Sequence, residues 1–223
     1  MAITQYRDRN HAGLKLAKLL LEYKNKANTI VLGLPRGGVP VAYVIATKLN
    51  LPLDVFLVRK LGVPGHSELA MGAIAAEGEP VVNHELIKLL NISDELIHEV
   101  IEHQTAVLKE REHLYRKNKP SLLVAGKTII LVDDGLATGS TMEAAIKALR
   151  LLKPKAVVAA VPVASRDSLH RIELLADKTI CPIAPDLFYA VSIWYGEFGQ
   201  TSDDEVVQLL EMASSSHSDV ING

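Results

Sequence analysis

Cysteine is nearly absent from the sequence: Cys181 stands alone among 223 residues. One thiol cannot close an internal disulfide, and neither a CxxC pair nor a Cys/His zinc spacing exists. Aromatic residues are scarce as well, with six Tyr, three Phe and one Trp. No apolar run reaches the roughly 18 residues of a membrane span. Residues 1–10 carry Arg7, Asp8 and Arg9 where a secretion leader would carry an apolar stretch. Charge of one sign is missing too. Lys and Arg number 24 against 26 Asp and Glu, a net −2, which speaks against a broad basic surface for nucleic acid and against an acidic tail. With 14 Gly and 10 Pro the composition is neither collagenous nor linker-like. What is left, at 48% hydrophobic residues, is a globular chain with a sizeable core. It is expected in the cytoplasm, with neither a membrane nor a nucleic acid as partner.

The hydrophobic periodicity then sets the organisation. A helical pattern between residues 5 and 24 precedes the β-branched run at 29–34, and a second helix follows at 39–49. A strand at 53–58 leads to a loop at 60–70 punctuated by Gly62, Pro64 and Gly65, then to a hairpin arm at 71–83. A long helix at 93–117 opens on Ser93. Strands at 128–132, 156–164 and 179–181 alternate with helices at 140–152 and 165–175. Ser202 and Glu205 form a capping box for a last helix ending near Met212. Strands apolar throughout and alternating with helices define an α/β fold, a doubly wound and mostly parallel sheet. We read one domain over 1–213, with a small hood at 182–200 and the long helix as an insertion. The polar tail at 214–223 is expected to be mobile.

Sheets of this kind bind ligands beyond the carboxyl ends of their strands, and three such ends carry unusual residues. They are Arg36-Gly37-Gly38 after the first, Arg59-Lys60 after the second, and Asp133-Asp134-Gly135-Leu136-Ala137-Thr138-Gly139-Ser140-Thr141 after the strand at 128–132. Two carboxylates at the tip of a buried strand are costly unless something partners them. The loop behind them has two glycines, three hydroxyls and a helix start, the makings of a phosphate cradle. Carboxylates suit a pair of sugar hydroxyls. Phosphate and diol on one molecule describe a pentose 5-phosphate.

Residues 129–142, IILVDDGLATGSTM, resemble the signature loop of the type I phosphoribosyltransferases, nearest to the DDxxATGxTM of adenine phosphoribosyltransferases. Val58-Arg59-Lys60 resembles their strand-end VRK, and Arg36-Gly37 the Arg-Gly of their pyrophosphate loop. The wider pattern is similar to a branch of predicted bacterial phosphoribosyltransferases. The resemblance implies that Asp133 and Asp134 hold the ribose hydroxyls of phosphoribosyl pyrophosphate (PRPP), and that Ala137, Thr138, Gly139, Ser140 and Thr141 hold its 5-phosphate. It implies that Arg36, Gly37 and Gly38 meet the pyrophosphate, with Arg59 and Lys60 near it. His66 would sit on a loop at 61–70 that closes over the site. Mg²⁺ would ride on PRPP oxygens with no direct protein ligand. The implied reaction moves ribose 5-phosphate to a nitrogen acceptor, such as a nucleobase, in a chain that can be a homo-oligomer.

Trp194 and Tyr195 are candidates to stack on the acceptor, with core packing as the plain alternative. His66 and Arg59-Lys60 have solvated-surface alternatives of their own. Ala137 stands where members acting on 6-oxopurines carry a carboxylate, so that position supplies no general base and the acceptor stays open. Two other functions compete: a non-catalytic PRPP or nucleotide sensor on the same scaffold, and a phosphosugar hydrolase. Glu95/His98 and Glu110/His113 share one predicted helix, whereas a di-metal site needs facing helices. They read as a solvated face.

Overall fold

The computed structural model describes residues 5–76, 78–117 and 122–221. In chain order it contains α1 (Arg9–Leu19), β1 (Thr29–Gly33), α2 (Gly38–Leu49), β2 (Leu53–Val55), β3 (Val58–Val63), β4 (His66–Ala75) and β5 (Val81–Val82). There follow α3 (His84–Leu89), α4 (Asp94–Arg116), β6 (Thr128–Val132), α5 (Ser140–Leu151), β7 (Ala156–Ala160), α6 (Arg166–Glu173), β8 (Lys178–Ile180) and α7 (Asp203–Ile221).

The expected α/β fold is present. The main sheet has the order β2-β1-β6-β7-β8, all of it parallel. Side chains alternate along each strand. Ile129 and Leu131 of β6 pack with α5 and α6, whereas Ile130 and Val132 pack with α1, α2, α4 and α7. Both faces are therefore covered, and the strands read as continuous apolar runs. From β1 the chain winds through α2 towards one edge; from β6 it winds through α5 towards the other. The winding reverses between β1 and β6, and a crevice opens there at the strand ends.

Where sequence and structure part, the reasons are local. The loop expected at 60–70 is an antiparallel hairpin, β3 against β4, with Val63 opposite His66. Pro64 and Gly65 form only its turn, Gly65 taking φ +79°, a combination suited to a tight reversal. Leu61, Val63, Met71 and Ala73 are buried and pay for the pairing. β5 adds a short third strand to β4, and α3 follows, capped by Asn83, which accepts from the Leu86 amide at 3.1 Å. The first helix starts later than expected, at Arg9, where the Asp8 side chain caps the amide of His11 at 2.7 Å. The last helix runs on to Ile221 and takes in most of the segment expected as a mobile tail. Ser214 and Ser215 donate back to Leu210 and Glu211 carbonyls, which lets serines sit on a helix. Residues 222–223 of that tail, and residues 1–4 of the expected domain, lie outside the described residues.

The long helix expected at 93–117 is α4, and it is tied into the core. Arg116, 3% exposed, pairs with Asp54 of β2 at 3.3 Å and with Glu112 at 3.2 Å. Gln104, Leu108 and Arg111 lie on one face of α4, three or four residues apart, and that face turns towards the crevice.

Candidate active site

Two loops meet at the reversal point. Gly33 pairs with Val132, so residues 34–38 after β1 run beside Asp133 and Asp134 after β6, and the Leu34 amide donates to the Val132 carbonyl at 2.9 Å. The approach demands glycine twice. A Cβ on Gly37 would lie 2.0 Å from Oδ2 of Asp134, and one on Gly38 would lie 2.6 Å from the Val132 carbonyl oxygen. The Pro35–Arg36 peptide is cis.

Asp133 and Asp134 sit at the strand tip as the sequence indicated. The Asp134 amide donates to Oδ1 of Asp133 at 2.8 Å. Arg9 donates to Oδ2 of Asp134 through Nη2 at 2.7 Å and Nε at 2.9 Å. Each carboxylate thus keeps its other oxygen for a further donor. Burial first, and the neighbouring Asp134 charge second, push the Asp133 carboxyl well above the usual range. Burial also raises Asp134, with Arg9 pulling against it. A like-charge pair in a desolvated place behaves this way.

Behind the acids, the loop is held from the rear by α6. Ser165 and Ser168 hydroxyls both donate to the Ala137 carbonyl, at 2.9 and 2.7 Å, and Arg171 Nη2 donates to the Thr138 carbonyl at 2.6 Å. In a planar trans peptide the N–H points opposite to the C=O. Tying those two carbonyls to α6 therefore turns the Thr138 and Gly139 amides away from α6. Gly139 takes φ +71° and, as N-cap of α5, offers no side-chain cap. The Ser140 amide makes only a long contact to Oγ1 of Thr138 at 3.5 Å, which leaves the next amides of the first turn for a ligand. Oγ of Ser140 and Oγ1 of Thr138 are 3.0 Å apart. These groups form an anion cradle at a helix N-terminus.

Across a cavity of about 690 Å³ from this cradle lie Arg59 and Lys60, with Gln104 and Val100 of α4 completing the wall. Arg59 is fixed by Nε donating to Oε1 of Gln104 at 2.9 Å. A smaller adjoining cavity brings Pro35, Arg59, Arg111 and Thr141 together. Arg36 lies 3.7 Å from Asp203 of α7, whose carboxylate also accepts from the Tyr115 hydroxyl.

The structure therefore gathers Arg36, Gly37, Gly38, Arg59, Lys60, Asp133, Asp134 and residues 137–141 at one crevice. His66 is exposed at the hairpin turn and lies outside the residues lining the larger cavity. Tyr195 corrects our expectation for an acceptor-stacking residue. It is 4% exposed, its hydroxyl donates to the Asp134 carbonyl at 2.6 Å, and its ring lies between Tyr6 at 5.5 Å and Phe198 at 4.9 Å. Trp194 is half-buried in the same cluster. The hood is also larger than its own stretch of sequence. The Tyr6 amide donates to the Trp194 carbonyl, and the Gly196 amide to the Tyr6 carbonyl, at 2.8 and 2.7 Å, so the leading segment of the chain is a strap of the hood.

Sequence reasoning missed Arg9, Ser165, Ser168, Arg171 and Arg111. Arg9 left one clue: a cation in the first turn of a helix opposes the helix dipole and so needs a carboxylate from elsewhere.

This arrangement agrees with the comparisons to known proteins. The family described as "Phosphoribosyl transferase domain" matches residues 3–192, and the chain belongs to that family. The resemblance read from the signature loop is borne out. A Mycobacterium tuberculosis protein named "Putative phosphoribosyl transferase Rv0571c" is 42% identical over 206 residues, which is 92% of this chain and 46% of that protein. The chain thus spans about half the length of the curated relatives it matches. The crystal structure of TT1426 from Thermus thermophilus shares the fold with a TM-score of 0.84 at 39% identity, covering 92% of this chain and 97% of that one. No helix among the described residues is long and apolar enough to cross a membrane.

Proposed function

We propose that this chain is a phosphoribosyltransferase that binds PRPP with Mg²⁺, transfers ribose 5-phosphate to a nitrogen acceptor and releases pyrophosphate. One observation carries the reading: two carboxylates, each with an oxygen to spare, stand beside an amide-lined cradle whose opposite wall holds two cations. A diol, a phosphate and a second polyanion on one molecule match that order of groups.

The ribose hydroxyls donate to Asp133 and Asp134, and the 5-phosphate accepts from the Thr138 and Gly139 amides and from the Ser140 and Thr141 hydroxyls. Pyrophosphate lies towards Arg36, Arg59 and Lys60, with Arg111 of α4 close by. Breaking the C1–oxygen bond builds positive charge on the ribose and negative charge on the leaving group. The acids face the first and the arginines and lysine the second, so both interactions strengthen in the transition state.

Among the described residues no group of three His, Cys, Asp or Glu is placed to hold a metal ion. Asp133 and Asp134, each with one oxygen engaged, would take sugar hydroxyls or metal-bound waters, which suits an ion carried by diphosphate and sugar oxygens and completed by water. When bound, Mg²⁺ offsets charge on the departing pyrophosphate; the protein residues bind and orient the oxygens that carry it. A sensor needs less stabilisation of a leaving group than the cations at that end provide, which favours catalysis. The cytoplasm is the compartment we assign to this chemistry.

The test is calorimetry of the full chain with PRPP and Mg²⁺, followed by pyrophosphate release across a panel of nitrogen bases. Binding with release is expected. Absence of heat removes the reading, and heat without release for any base turns the protein into a sensor. Arg171→Ala gives a second check. Its guanidinium orients one loop carbonyl and is half-exposed, so after solvent screening it contributes about 1 kcal/mol. Ribose 5-phosphate affinity is expected to fall roughly fivefold, and an unchanged affinity would contradict the role given to α6.

A further inference from the structure

Arg9 begins α1, yet its side chain serves two other parts of the molecule. Besides its two bonds to Asp134, it donates through Nη1 to the Gly199 carbonyl at 2.7 Å, and its guanidinium carbon lies 4.0 Å from the Phe198 ring centroid. Arg9 and Asp134 side chains are each 14% exposed. The guanidinium thus has one edge on the acidic pair, another on the hood backbone and a face on a hood aromatic. Phe198 stacks on Tyr195, whose hydroxyl holds the Asp134 carbonyl. The two routes from the hood close a ring around Asp134.

Among the described residues, nothing else of opposite charge is paired with the acids. Arg36 turns to Asp203 instead. The titratable groups facing Asp134 are Asp133 on its own strand tip, Arg9 of α1 and Tyr195 from the hood; the Tyr6 hydroxyl turns away to the Pro162 carbonyl. Burial first, and the Asp134 charge second, drive the Tyr195 phenol upward, so it stays neutral through the working range. Arg9 is the cation whose charge lowers both acids.

We propose that Arg9 is the positioning residue of the acidic pair: it holds Asp134 by its Oδ2 with Oδ1 turned to the substrate, and it fixes the hood against that carboxylate. The inference takes its catalytic meaning from the PRPP reading above. Arg9 touches neither the ribose nor the leaving group; it acts through Asp134. Substrate affinity and hood geometry are then coupled, because loosening one end of the guanidinium loosens the other.

The experiment is arranged so that the two ideas fail separately. Full-chain wild type, Arg9→Gln and Arg9→Lys are titrated with PRPP and Mg²⁺ from alkaline to mildly acidic pH. In parallel, the Asp134 carboxyl is followed by carbon-13 NMR without ligand. Arg9→Gln is expected to weaken PRPP binding by about thirtyfold or more at neutral pH, and to move the acid limb of binding to higher pH. Its Asp134 carboxyl should titrate at higher pH too. Arg9→Lys keeps the charge but loses the paired bonds and the stacking, so its affinity falls while its acid limb stays near that of wild type. A merely structural arginine would move no limb. Coincident limbs and coincident carboxyl titrations in wild type and Arg9→Gln overturn the proposal. Wild type giving no heat at any pH sinks the PRPP reading, while the ligand-free titration still decides whether Arg9 holds Asp134. Should Arg9→Gln not fold, a cycle of Arg9→Lys with Asp134→Asn replaces it: coupled effects on affinity support the proposal and simple additivity defeats it.

Discussion

Asp133→Asn is expected to cut turnover by roughly 10²–10³-fold, the scale of losing one preorganised charge-stabilising group, while making the fold more stable. The amide oxygen of Asn still accepts from the Asp134 amide, so the local geometry survives. What disappears is the negative charge that the proposed mechanism sets opposite the developing ribose cation. Stability moves the other way because the Asp133 carboxyl is raised by burial and by its acidic neighbour. A carboxyl raised on folding favours the protonated chain. Its stabilising contribution is complete below the unfolded value near 4, and it is lost as pH climbs through the raised folded value. At neutral pH the buried carboxyl therefore costs stability relative to a group with an unshifted value, and Asn removes that cost. A gain of about 1 kcal/mol is expected, or about 2–4 °C in Tm for a chain of this size. The gain should shrink as the melts are repeated towards pH 4. Undiminished turnover on a confirmed acceptor would remove Asp133 from the chemistry. A lower Tm at neutral pH would mean that its burial is not a cost.

Gly37→Ala should be as damaging for a steric reason. The new methyl would stand 2.0 Å from Oδ2 and 2.6 Å from Cγ of Asp134. That carboxylate cannot swing aside cheaply, because Arg9 holds the same Oδ2 with two bonds. Either the loop at 34–38 backs away or the ion pair opens. A displacement near 1 Å at a reacting group costs about 10²-fold in rate, and overpacking costs about 1–3 kcal/mol in stability. Gly78→Ala is the control, since its methyl would meet nothing nearer than 4.0 Å. Matched kinetics for the two variants would show that the loop is not clamped to the acids.

The parts of the site that lie close together in the sequence were legible there. Residues 133–141 announce a strand tip, a glycine turn and a helix start within nine positions, and each step follows from short-range rules. The hairpin was misread because Gly62, Pro64 and Gly65 look the same in a loop as in a turn between paired strands. Only the burial of Leu61 and Met71 against the core distinguishes the two. Tyr195 was misjudged for a related reason: an aromatic ring suits a ligand or a core equally well, and neighbours distant in the chain decide which it gets.

By itself, then, the sequence determined the layered α/β order, the acidic tip with its phosphate-type loop, and the family. Tertiary structure decided how that tip is sustained. Arg9 reaches Asp134 across 125 residues and Arg171 reaches Thr138 across 33. No periodicity carries information over such separations. Helical and strand patterns record which face of an element is buried, whereas the counter-charge of a buried acid and the donors behind a loop depend on which elements the folded sheet brings side by side.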